Sequence, residues 1–71
     1  MIEKLKQLLD KEPFQTFRLV DTSGGTYEVQ SPYQVAIGET QLDYYYPRSD
    51  RSATIRINQI VALETTEELK H

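Results

Sequence analysis

The sequence predicts a small, mainly β domain of the α+β kind: an N-terminal helix followed by a five-stranded, strongly bent barrel. Three observations carry this expectation. Ile2, Leu5, Leu8 and Leu9 recur at helical spacing and are followed by Pro13. From Phe14 onward the apolar period becomes two, the mark of strands with one buried face. Turn-forming clusters at Ser23-Gly24-Gly25, at Gly38-Glu39-Thr40 and from Pro47 to Ser52 divide that stretch into short segments.

The helix is expected over about 2–12. Its four apolar residues form one stripe, with Lys4, Lys6, Gln7, Asp10 and Lys11 outside it. Glu3 near the start and Lys11 near the end suit the helix dipole. Pro13 cannot continue the hydrogen-bond ladder and disfavours helical geometry at Glu12. So short a helix is marginal alone in water, so its stripe must lie on the barrel, where it can close an open end.

The first strand is expected from about Gln15 to Asp21, with Phe17 and Leu19 on one face and Arg18 and Val20 on the other. Ser23-Gly24-Gly25 reads as a hairpin turn, because glycine accepts positive φ. Tyr27 and Val29 then share a face opposite Thr26, Glu28 and Gln30, until Pro32 imposes a bend or edge. Tyr33, Val35 and Ile37 alternate next, as a third strand or the continuation of a bent second one. After the Gly38 turn, Leu42, Tyr44 and Tyr46 share a face. A polar loop, Pro47 to Ser52, leads to Ala53, Ile55 and Ile57, which alternate with Thr54 and Arg56. Asn58-Gln59 makes a tight connection to a last strand from Ile60 to Leu63. There Ile60 and Ala62 would take one face and Val61 and Leu63 the other. Apolar residues on both faces predict contact with another subunit. Thr65 and Glu68 stand at capping-box spacing, which would start a terminal turn of helix.

The chain has 71 residues, and 38% are hydrophobic, which bounds it to one domain over 1–71 with one thin core. Domains this small commonly need disulfides, metal or oligomerisation. Cysteine is absent and the one histidine is His71, so disulfides, thiolate sites and histidine metal sites are not expected. Self-association is the staple that remains, and a homo-oligomer is expected. The sequence shows no membrane-length apolar run and no signal-peptide stretch, which fits a cytoplasmic protein. A net charge of −3 opposes general affinity for nucleic acid.

Two resemblances extend these expectations. Pro13, Phe14, Phe17, Arg18 and Leu19, followed by Gly25, Tyr27, Val29 and Pro32, make the chain similar to a group of small bacterial proteins of unknown function. That likeness covers most of the chain and implies no activity. More loosely, the order of helix, proline, strand, glycine turn, bent strands, variable loop and two strands on a minimal turn resembles the Sm-like superfamily, including the bacterial RNA chaperone Hfq. The run Ile55-Arg56-Ile57-Asn58-Gln59-Ile60-Val61 resembles the second Sm motif, with Ile57 where that motif has glycine. The first Sm motif is not matched, since Glu28 and Val29 stand where its glycine would be. The resemblance implies an SH3-like or Sm-like barrel whose fourth strand pairs with the fifth of a neighbouring subunit. It would carry over Arg56 and Asn58 as RNA contacts.

No residue set points to catalysis. Acids gather at Asp10 and Glu12 and at Glu64, Glu67 and Glu68, near element ends where solvated carboxylates are ordinary. Gly24-Gly25 lacks the lysine and following helix of a phosphate loop. Interleaved Glu3, Asp10 and Glu12 make the lysines of the helix an ordinary solvated face. Tyr44-Tyr45-Tyr46 beside Arg48 and Arg51 is the suggestive constellation, because single-stranded RNA binders stack bases on aromatic rings next to cations. Asp43 and Asp50 dilute that charge, and tyrosines are also good strand residues. The expectation is a non-enzymatic interaction module without cofactor, self-associating through sheet edges, with Ile55, Ile57, Val61 and Leu63 as core and interface together. A protein partner is the other kind of ligand it would take. The alternative is an Sm-like RNA-binding ring using Arg56, Asn58, Tyr45, Arg48 and Arg51.

Overall fold

The computed structural model describes residues 2–65. It contains helix α1 (Ile2–Asp10) and strands β1 (Phe17–Asp21), β2 (Thr26–Val29), β3 (Val35–Ile37), β4 (Gln41–Tyr45), β5 (Ser52–Arg56) and β6 (Ile60–Thr65). The strands form two antiparallel three-stranded sheets, ordered β2-β1-β6 and β3-β4-β5. Two 3₁₀ turns, Pro32–Gln34 and Ile57–Gln59, carry the chain from one sheet to the other.

α1 ends at Asp10, short of the expected Glu12, as the conformational bias ahead of Pro13 requires. Leu5 and Leu8 are buried in the core, with Ile2 and Leu9 packed against it. The sheets close over that stripe with Phe17, Leu19, Val29 and Leu63 from one side and Val35, Leu42, Tyr44 and Ile55 from the other. The alternation expected in β1, β2 and β4 is therefore the alternation observed. The register makes it specific: Leu19 lies opposite Tyr27 and Leu63, and Leu42 opposite Ile37 and Ile55.

Three departures from the expected strands have local causes. The first is at Pro32–Gln34, where the chain winds into a 3₁₀ turn instead of extending. Ser31 caps it by accepting a hydrogen bond from the Tyr33 N–H at 3.2 Å, and Pro32 supplies the first-turn φ. Tyr33 consequently leaves the face of Val35 and Ile37 and is 91% exposed. This turn makes six strands out of the expected five.

The second is at Ile57, which opens the other 3₁₀ turn instead of extending β5. The third is in β6. Val20 pairs with Ala62 and Asp21 with Ile60, so Val61 has no opposite residue in β1. This β-bulge shifts the alternation by one position. Ile60 and Leu63 both turn into the core, Ala62 is half-buried, and Val61 is 56% exposed. Of the apolar residues expected on two faces of a regular strand, Ile60 and Leu63 thus share the core and Val61 is left exposed. The expected cap at Thr65 to Glu68 lies mostly outside the described residues, with Thr65 ending β6.

Candidate functional site

Two side chains lock the sheets to each other. Gln34 is buried at the end of its 3₁₀ turn. Its Oε1 accepts from the Gln30 N–H at 2.7 Å, just past β2, and its Nε2 donates to the Tyr45 carbonyl at 3.1 Å, in β4. The Tyr44 hydroxyl, from β4, donates to the Glu28 carbonyl of β2 at 2.6 Å. Around this seam Tyr44 meets Tyr27 at 5.4 Å and Tyr46 at 5.0 Å between centroids, both edge-on, the arrangement favoured by ring quadrupoles. The Arg51 guanidinium sits 5.0 Å above the Tyr46 ring. Burial pushes the Tyr44 phenol above the usual tyrosine range. Burial first, and the nearby Asp21 carboxylate second, raise that of Tyr27.

The glycine turn has a simple occupant of its own. Asp21 accepts hydrogen bonds from the Ser23 hydroxyl at 2.7 Å, the Gly25 N–H at 2.8 Å and the Ser23 N–H at 3.0 Å. Those bonds, led by the Ser23 hydroxyl, hold its carboxyl below the usual range. Gly24 has φ +86°, the left-handed conformation glycine was expected to supply. Because Asp21 occupies amides of the turn, they are not presented to a phosphate.

The proposed nucleic-acid residues separate into two groups. Tyr45, 44% exposed, stands opposite Ser52 at one end of the β4–β5 pair, with Arg48 and Arg51 in the adjoining loop. Arg56 stands opposite Gln41 at the other end, next to Asn58 in the 3₁₀ turn. At a strand rise of about 3.3 Å per residue the two ends of β5 lie about 13 Å apart. Tyr44 is in the core and Tyr46 is covered by Arg51, which leaves Tyr45 as the exposed ring of the triplet.

The expected interface residues also divide. Ile55 and Leu63 are core residues, each 5% exposed, and Ile57 is half-buried. Val61 is the exposed one, projected outward by the bulge. Asp10 and Glu12 are exposed, and Glu64 lies 3.7 Å from Arg18, its cross-strand neighbour. Glu67, Glu68 and His71 lie outside the described residues. Among the described residues no group of three His, Cys, Asp or Glu is placed to hold a metal, and no helix is long and apolar enough to cross a membrane.

What the fold does present is open sheet edge. Among the described residues β5 has β4 as its hydrogen-bonded neighbour, and β6 has β1. A strand edge with no neighbouring strand is where an added strand can pair. Comparison with protein-family models, curated proteins and solved structures finds no match to this chain. Sequence reasoning missed two residues, Gln34 and Asp21. Asp21 was legible, since Asp two residues before Ser and four before Gly is an Asx-turn signature.

Proposed function

We propose that this protein is a non-enzymatic interaction module that associates with copies of itself through its open sheet edges. The observation that carries the reading is that β5 and β6, five and six residues long, each have a single strand neighbour among the described residues. Edges of this length invite strand addition, which gains main-chain hydrogen bonds without needing a pocket. In the finer reading, β2 and β3 are halves of one strand bent at Pro32–Gln34. The chain then has the five strands, the last two joined by a short connection, expected of an SH3-like or Sm-like barrel. A cytoplasmic location is part of the proposal.

Light scattering on a size-exclusion column, with absorbance at 260 and 280 nm, tests it. A mass above that of one chain supports self-association, and a single-chain mass at all concentrations removes it. A monomer that binds an extended peptide would be a module for a protein partner. Excess absorbance at 260 nm, with salt-sensitive binding of uridine-rich RNA weakened by Arg56→Ala, would restore the RNA-binding ring. The distance between Arg56 with Asn58 and Tyr45 with Arg48 and Arg51 weighs against one compact RNA site.

A further inference from the structure

We propose that the association is a two-fold symmetric dimer in which β5 pairs antiparallel with β5 of a second copy, centred on Thr54. This rests on the self-association proposed above and names the edge and the symmetry that carry it.

The edges of the molecule are not equivalent. β3 is three residues long and follows the Pro32–Gln34 turn directly, and β2 is four residues long and ends shortly before that turn. β6 is longer, but the bulge at Val61 bends it and breaks its ladder, one of the devices that blunt an edge. β5 has no such guard. All five of its residues pair with β4 in an unbroken register, from Tyr45 opposite Ser52 to Gln41 opposite Arg56. Its sequence Ser-Ala-Thr-Ile-Arg contains no proline or lysine, and its charge is the exposed Arg56 at the end. A regular strand edge of this kind fits another extended strand and little else.

The sequence of β5 is complementary to itself. Directly opposed residues of an antiparallel pair project to the same side of the sheet. With Thr54 on the two-fold axis, Ala53 faces the partner's Ile55 and Ser52 faces the partner's Arg56. Ala53 and Ile55 lie on the core side in each copy, while Ser52, Thr54 and Arg56 are exposed on the other, so both faces continue across the junction. The small Ala53 leaves room for isoleucine, the two threonines are a favourable cross-strand pair, and no like charges oppose. This register engages all five residues of each strand, whereas a slip of two leaves the strand ends unpaired. The result is one continuous sheet, β3-β4-β5 followed by the partner's three strands in reverse order.

The chain has no cysteine, so an introduced one reports alone. Opposed Cα atoms in an antiparallel pair lie about 4.5–5.5 Å apart, within the range a disulfide spans. The full chain carrying Thr54→Cys is oxidised mildly and compared with the chain carrying Val61→Cys, on the β6 edge. The expected results are a wild-type mass of two chains and a covalent Thr54→Cys dimer. It should form at least about ten-fold faster than that of Val61→Cys, because paired thiols react within a complex. If Thr54→Cys disturbs folding, mixing single Ser52→Cys and Arg56→Cys chains should give the mixed disulfide and neither self-disulfide. An oligomer larger than a dimer, or equal or faster cross-linking at position 61, overturns this pairing while leaving edge association standing. A monomer at every concentration overturns both.

Discussion

The two 3₁₀ turns do the same work, passing the chain between sheets, and are held in different ways. Pro32–Gln34 is fixed by side chains: Ser31 caps it, Pro32 presets its φ, and buried Gln34 bonds to segments of both sheets. Ile57–Gln59 has no side-chain cap and no buried residue. It is held by main-chain bonds, from the Ile57 N–H to the Thr40 carbonyl at 3.0 Å and from the Thr22 N–H to the Gln59 carbonyl at 2.9 Å. The first turn therefore depends on residue identity. The second depends on the neighbouring turns being in place and tolerates change in its own side chains.

Substitutions can break or sharpen this contrast. The largest effect is expected from Gln34→Leu, which keeps the volume but leaves the Gln30 N–H and the Tyr45 carbonyl without their partner. It should cost about 2–3 kcal/mol in urea denaturation, in the range for buried groups left unsatisfied. Tyr44→Phe removes the neighbouring bond to Glu28 and should cost about 1–2 kcal/mol at neutral pH.

The same residue predicts a pH dependence. Its folded-state pKa lies above the ordinary value of 10.0, so its stabilising contribution is full below that value and is lost as pH rises through the folded-state pKa. Urea titrations at neutral and strongly alkaline pH should show wild type losing stability, and Tyr44→Phe losing less. An equal alkaline loss in both proteins would assign the effect elsewhere. Ser31→Ala should cost about 0.5–1 kcal/mol, the usual worth of an N-cap oxygen. Asn58→Ala, in the second turn, should change stability by less than about 0.5 kcal/mol. A loss at Asn58 comparable with that at Gln34 would erase the distinction between the turns.

Much of the interior was legible because local pattern and packing agree. The stripe of α1 and the alternation at Phe17 and Leu19, at Tyr27 and Val29, and at Leu42 and Tyr44 all point inward as their spacing requires. Tyr33 was not legible from alternation, because a serine cap and a proline turned the chain where period two would have extended it. Nor was the direction of the residues from Ile60 to Leu63, since a bulge is defined by the partner strand. The candidate site was less legible than the core. Ile55 and Leu63 read as exposed and buried at once, and the grouping of Tyr45, Arg48, Arg51, Arg56 and Asn58 ignored the length of β5 between its ends.

By itself the sequence determined the helix and its buried stripe, most strand positions, the glycine turn after Asp21, and the absence of thiol chemistry. These follow from side-chain periodicity, backbone preference and composition, which act over a few residues or on the chain as a whole. Only the tertiary structure decided that Gln34 and Tyr44 would lock two sheets together, that Val61 would be displaced outward, and that β5 would pair in unbroken register with β4 as its one strand neighbour among the described residues. Each of those depends on which strands become neighbours. Pairing between residues far apart in the chain is fixed by the closure of the whole core, and no short stretch of sequence contains it.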